Sequence, residues 1–324
     1  MKTPPEKPRL MQRVRSTLRL KHYSPKTEKS YTMWILRFIK FHKKKNPISM
    51  GKPEVVSFLT HLAVDKKVSA STQNQALAAL LFLYRDVYGI QLPWLDTIVR
   101  AKPGTRLPTV LSKVEVKHLL ENLDGTPQLM AGLMYGSGLR LKECCTLRVK
   151  DVDFLRRQLN VQQGKGAVDR TAVFPESLRS GLRRQINLVE KKHQADIRRG
   201  AGWVMMDDAL SRKYPSAGCS LGWQWLFPGT RVHIDQKTGN GWRHHLHETV
   251  LQRAVKEAAR RAGINKRVSC HVLRHSFATH LLEGGTDIHT IQKLMGHRDI
   301  RTTMKYIHVV DKGPLGVTSP LDRL

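Results

Sequence analysis

The sequence is poor in acidic residues, in paired cysteines and in long apolar runs. Only 26 Asp and Glu stand against 56 Lys and Arg in 324 residues, a formal charge of +30. That deficit implies a polyanionic partner, whose counterions would be released on binding and make affinity steeply salt-dependent. The bland alternative is a basic protein that is merely soluble. The four cysteines are Cys144, Cys145, Cys219 and Cys270. None forms a CxxC pair, so neither a disulfide framework nor a zinc knuckle is expected. Reduced thiols fit a cytoplasm best. No stretch approaches the ~18 apolar residues of a membrane span, so no membrane partner is expected. Met1 to Leu20 is basic and broken by prolines and charges, unlike a secretory leader.

What is present begins with helices. Ser24-Pro25 reads as an N-cap followed by proline in the first turn. Tyr31, Trp34, Ile35, Phe38 and Ile39 then recur at helical spacing until Phe41-His42-Lys43-Lys44-Lys45. A shorter helix carries Val55, Val56, Phe58, Leu59 and Leu62. A third spans about 71–88, and a basic one about 9–21. Residues 1–107 hold 21 Lys/Arg and 6 Asp/Glu, a net of +15. A third of the chain thus carries half the charge, which suits a DNA-gripping bundle. Lys43, Lys44 and Lys45 are its candidate DNA contacts; the rival reading is solvated outer helix faces. Prolines and glycine in 101–110 mark a linker between domains 1–100 and 111–324.

In the second domain Ser112 caps a helix, another runs into Gly136-Ser137-Gly138, and a third starts near Leu139-Arg140. Val152 to Gln163 alternates like one strand, Gly164-Lys165-Gly166 turns, and Arg170 to Phe174 returns. That places Lys165 at or beside a hairpin tip. Helices follow at about 177–194, 248–262, 271–283, 287–295 and 300–309.

Phosphodiester transfer without a metal needs a nucleophile, positive charge on the non-bridging oxygens, and an acid for the leaving oxygen. Arginine suits the charge role because its planar fork matches phosphate and stays charged. His271 and Arg274, three apart on a helix, face the same way. Arg140, Lys165, His297 after Gly296, and Tyr306 complete the candidates. Each has a bland alternative. The arginines could be surface ion-pair residues, His297 could complement a helix end, and Tyr306 could be a half-buried core tyrosine.

The segments Gly138-Leu139-Arg140-Leu141-Lys142-Glu143, Gly164-Lys165-Gly166, His271-Val272-Leu273-Arg274-His275, Gly296-His297 and Tyr306-Ile307 together resemble the tyrosine recombinases of the phage-integrase type. The resemblance covers about residues 10–324. It implies a mainly α fold with a small β-sheet: a helical core-binding, SAM-like N-terminal domain and an α+β catalytic domain. It implies that Tyr306 attacks the scissile phosphate to form a 3′-phosphotyrosyl bond. Arg140 and Arg274 would clamp the phosphate, and His271 would assist proton removal or hold an oxygen. Lys165 would protonate the leaving 5′-oxygen, and His297 would donate a hydrogen bond to the phosphate. Glu143 would orient Arg140. No metal, ATP or other cofactor is implied. Two departures stand out: no second basic residue closely follows Lys165 before Arg170, and Ile307 replaces a common Thr.

Residues 196–243 are rich in Gly and Pro and hold four of the six tryptophans, Trp203, Trp223, Trp225 and Trp242. This insertion, with the Gly316-Val317-Thr318-Ser319-Pro320-Leu321 ending, resembles integron integrases. The implied function is site-specific integration and excision of gene cassettes by a homotetramer on DNA. The partners would be a duplex integration site and folded single-stranded cassette hairpins, in a bacterial cytoplasm at the nucleoid. Trp223, His244 and His245 are the candidates for holding extrahelical bases. Closing a satellite core over a long loop is the competing explanation. Duplex-site Xer or phage-type recombination and type IB topoisomerase-like relaxation remain alternatives.

Overall fold

The computed structural model describes residues 9–90, 108–162, 169–206, 208–236 and 238–307. It divides into two compact units, 1–106 and 107–324. Among the described residues no helix is long and apolar enough to cross a membrane.

Among the described residues the first unit is all helical: α1 (Leu10–Leu20), α2 (Pro25–Phe41), α3 (Lys52–Val64) and α4 (Ala70–Phe82). The Ser24 hydroxyl accepts the Thr27 N–H at 3.1 Å, which starts α2 at Pro25. Trp34, Phe38, Phe58, Leu59, Leu77 and Leu80 form its main core. Val14 and Leu18 of α1 close a second cluster against Ile35, Phe82 and Leu83. The long helix expected over 71–88 is divided, because α4 widens into a π turn at Leu83–Val87. Tyr84 lies inside that turn, and its buried hydroxyl donates to the Pro47 carbonyl at 3.0 Å. After α2 the chain reverses through Lys43 and Lys44, both at positive φ (52° and 63°). The three lysines of this turn are exposed, and Lys45 pairs with Glu54 at 2.9 Å.

The second unit packs helices α5 (Lys113–Glu121), α6 (Gly125–Ser137), α7 (Leu141–Cys145), α8 (Arg179–Ile197), α10 (Glu248–Arg261) and α11 (Cys270–Glu283) around one core. α6 lies at its centre, with Met130, Leu133 and Met134 fully buried. The Ser112 and Glu115 side chains cap α5 reciprocally. Beside the helices lies an antiparallel sheet of β1 (Val152–Asp153), β2 (Gln158–Val161) and β3 (Arg170–Val173). The single strand expected over 152–163 is therefore two. The Asp153 carboxylate accepts the N–H groups of Leu155 and Arg156 at 3.0 and 2.8 Å, and Arg157 turns through φ 52°. Leu155 continued the apolar alternation in sequence but is 96% exposed at the turn. The hairpin tip with Lys165 lies outside the described residues.

The insertion is a second sheet. β4 (Trp203–Val204) runs parallel to β6 (Gly241–His245), which pairs antiparallel with β5 (Pro228–Ile234). A short helix, α9 (Asp208–Lys213), lies between β4 and β5. Leu226 N–H donates to the Leu147 carbonyl at 2.8 Å, and Val149 N–H to the Gln224 carbonyl at 3.0 Å. Arg148 adds bonds to the carbonyls of Trp223 and Met205. Leu226 and Phe227 enter the main core. The last helices among the described residues are α12 (Ile288–Met295) and α13 (Ile300–Met304).

Gly138 ends α6 at φ 63°, and an added Cβ would lie 2.5 Å from the Phe277 ring. Gly138→Ala therefore combines left-handed strain with overpacking, at a cost of about 2–4 kcal/mol. Chemical denaturation should show that loss; a change under 0.5 kcal/mol would contradict this packing.

Candidate active site

Three buried or half-buried arginines converge on one helix end. α12 stops at Gly296, whose φ of 59° is left-handed. Its last carbonyls lack intrahelical partners and carry the negative end of the helix dipole. Arg170 donates to the Leu294 carbonyl at 2.7 Å, Arg274 to Met295, and Arg140 to Gly296 at 3.1 Å. Arg274 also donates to the Gly138 carbonyl, so it ties the end of α6 to the end of α12. Arg140 is the N-cap of α7, and Glu143 lies in that helix's first turn. One Glu143 oxygen accepts the Arg140 N–H at 2.8 Å and the other its guanidinium at 2.6 Å. Arg170 takes Glu143 from the other side at 2.8 Å.

The charges do not balance. Three guanidiniums face one carboxylate and a helix end worth roughly half a charge. Burial, then the nearby Arg140 charge, pushes Arg274 down to about 9. Burial opposes ionisation of Glu143, but Arg170 and Arg140 hold it below its ordinary value. Such a pocket is short of between one and two negative charges, and a phosphodiester supplies one. Arg140 has the most accessible of the three guanidiniums.

Beside the arginines lie two histidines and a phenol. His297 follows the Gly296 cap, and its Nδ1 is 2.9 Å from the Thr303 hydroxyl of α13. Its Nε2 lies 3.3 Å from Arg274, which can only donate. The free pocket therefore favours neutral His297 with the proton on Nδ1. An anion displacing Arg274 from Nε2 would let Thr303 donate to Nδ1 and free Nε2–H for the ligand. Burial and the Arg274 charge push His297 down to about 4. Tyr306 is buried against Phe277, Ala278, Ile291 and Met295. Its ring is near-parallel to His297, 6.3 Å between centroids. Its hydroxyl lies 2.9 Å from Nδ1 of His275. Burial pushes Tyr306 up, against the pull of Arg274 and Arg140.

The structure thus gathers Arg140, Glu143, Arg274, His297 and Tyr306 in one chain. His271 is exposed in the first turn of α11, and it is His275 that touches the phenol. Arg170, His275 and Thr303 were not singled out from sequence. Arg170 shares the inward parity of β3 with buried Ala172, a signal that the register confirms. His275 stood in the His271-to-His275 segment, but its contact was hidden because its partner arrives from a different element.

The insertion residues separate. The Arg148 guanidinium lies 5.2 Å from the Trp223 ring and 3.9 Å from that of Trp225, and Lys150 lies 4.5 Å from Trp223. Trp225 is buried and donates to the Arg243 carbonyl at 3.1 Å. Trp223 is half-buried, and its neighbours are these cations. His244 is exposed on β6 beside Trp242, which stacks on His233 at 5.0 Å. His245 is half-buried, edge-on to Trp225 at 5.5 Å. Among the described residues no group of three His, Cys, Asp or Glu is placed to hold a metal.

Residues 109–312 match the model of the phage integrase family, and residues 10–94 that of its N-terminal SAM-like domain. The chain belongs to the phage integrase family. It is a tyrosine site-specific recombinase of the Xer/integrase type. An integrase/recombinase of Escherichia coli is 46% identical over 316 residues, covering 98% of this chain and 94% of the relative. Tyrosine recombinase XerD of Agrobacterium fabrum is 32% identical, covering 80% and 76%. Among solved structures, XerH bound to palindromic difH in a post-cleavage complex shares the recombinase fold. Its TM-score is 0.63 at 18% identity, covering 96% of this chain and 97% of that one.

Because Glu143 is held below its ordinary value, its stabilisation is present at neutral pH and lost as pH falls through its folded value. Glu143→Gln leaves buried guanidiniums unpaired and should cost about 3–5 kcal/mol at pH 7. Urea unfolding should show this gap narrowing as pH falls below the ordinary carboxylate range. A gap independent of pH would contradict the ionised Glu143 bridge.

Proposed function

We propose that this recombinase cuts DNA by attack of Tyr306 on a phosphate seated between Arg140 and Arg274, and that it integrates and excises integron gene cassettes. The observation that carries the chemistry is the buried phenol of Tyr306 beside a pocket holding three arginines and one carboxylate. Arg140 and Arg274 neutralise the charge that gathers on the non-bridging oxygens, so the scheme runs without metal or ATP. Lys165 protonates the leaving 5′-oxygen, and His271, exposed in the first turn of α11, holds a phosphate oxygen. His297 donates to the phosphate once Arg274 has turned to it. Glu143 and Arg170 fix the arginines. The exposed Lys43, Lys44 and Lys45 hold the DNA backbone. Four protomers act on two paired sites in the cytoplasm, at the nucleoid.

The cassette reading rests on the insertion. β5 and β6 expose His233, Trp242 and His244 together, a surface on which a base could stack. Trp223 and His245 border it in sequence. Burial and the neighbouring histidines keep His244 below its usual value, so it meets a base as a neutral ring. A duplex-site recombinase is the second reading, favoured by the 32% identity to XerD.

A nicked suicide duplex should trap wild-type enzyme covalently at its 3′-phosphate, while Tyr306→Phe forms no adduct. Failure of the wild type to trap overturns the chemistry. Trp223→Ala and Trp242→Ala should impair recombination of hairpin cassette sites about tenfold more than cleavage of a simple duplex, the loss of one stacking contact. Equal losses on both substrates would give the tryptophans a folding role instead.

A further inference from the structure

Attack by a phenol requires its proton to leave, and buried Tyr306 holds that proton more tightly than a free tyrosine. The group touching the hydroxyl is His275, whose Nδ1 lies 2.9 Å away. The two rings stand 5.6 Å apart at 50°. His275 is half-buried next to Arg274 on α11, whereas His271 one turn earlier is exposed.

We propose that His275 is the base of the cleavage step, taking the Tyr306 proton on Nδ1 as the phenol oxygen bonds to phosphorus. The inference rests on Tyr306 being the nucleophile. Neutral His275 carries its own hydrogen on Nε2 and offers the Nδ1 lone pair. The O–H bond of Tyr306 breaks, the N–H bond of an imidazolium forms, and the O–P bond forms as P–O5′ breaks. The leaving oxygen takes its proton from a separate acid, assigned above to Lys165. In rejoining, the attacking 5′-hydroxyl reverses the sequence, and the departing phenolate recovers its proton from His275.

The surroundings explain when this base becomes effective. The charged and titratable groups acting on it are His271 and Arg274 of α11, with His297 after α12 and Tyr306 beside it. Burial, then His271 and Arg274, pushes His275 down to about 4, so the free enzyme holds it neutral. A base so weak accepts a phenol proton poorly. Burial is the larger cause and persists, but a phosphodiester bound by the arginines offsets the Arg274 charge and raises its basicity. Proton removal is thereby coupled to seating of the scissile phosphate.

The test is single-turnover cleavage of a nicked suicide duplex by wild type, His275→Asn, His275→Ala and Tyr306→Phe. DNA affinity and thermal melts are measured in parallel. Asn retains a polar group for the phenol but cannot take its proton. The expected loss at pH 7 is about 10²–10⁴-fold for both His275 variants, with DNA affinity within about twofold of wild type. The Asn variant should then gain close to tenfold in rate per pH unit between 7 and 9, as hydroxide replaces the base, while wild type changes far less. Added imidazole should restore cleavage to the Ala variant. Cleavage by the Asn variant within threefold of wild type overturns the proposal. So does a loss that neither rises with pH nor responds to imidazole, including one due to misfolding. Cleavage by Tyr306→Phe would instead overturn the nucleophile assignment, whatever the His275 variants do.

Discussion

The end of one short helix organises the catalytic unit. α12 stops at a left-handed glycine and exposes the carbonyls of Leu294, Met295 and Gly296 to three arginines. Each guanidinium comes from a different element: Arg170 from β3, Arg274 from α11, and Arg140 from the start of α7. Carbonyls fix their positions without cancelling their charge, which a set of carboxylates would do. Glu143 offsets part of it, bridging Arg140 and Arg170. The fold thereby supports an excess of buried positive charge, and the same bonds that hold it steady leave it short of an anion.

Tyr306 reaches this pocket through the same helix end. His297 directly follows the Gly296 cap, and its contact with Thr303 draws α13 inward. Tyr306 lies just beyond, packed on Met295 and bonded to His275. The phenol is consequently placed from within its own chain. The insertion is anchored with comparable economy, because Arg148 lies against Trp223 and Trp225 while reaching two carbonyls of the loop.

Helices were legible where a cap and an apolar stripe agreed, as at Ser24-Pro25 and Ser112. The strand expected over 152–163 was misread because Leu155 kept the alternation going through a turn that Asp153 had already imposed. The long helix expected over 71–88 hid its π turn, since apolar spacing hardly changes when one residue is added. Arg140, Arg274, His297 and Tyr306 were legible as residue types in order. Their common carbonyl cradle was not, because backbone acceptors leave no trace in side-chain sequence. Arg170 and His275 were passed over for a related reason: each acts on a group more than twenty residues away. In the insertion, Gly, Pro and Trp suggested a loop, yet β6 pairs with strands on both sides.

The central claim is that guanidinium charge in this pocket exists to neutralise a phosphate oxygen. The most direct measurement replaces the scissile phosphate by an uncharged methylphosphonate and compares wild type with Arg140→Ala. With a normal phosphate, the variant should lose cleavage by about 10²–10³-fold. With the methylphosphonate the ground-state charge is gone and only one non-bridging oxygen gains charge during attack, so the variant's defect should shrink by at least about tenfold. An Arg140→Ala defect equally deep on both substrates would contradict the account.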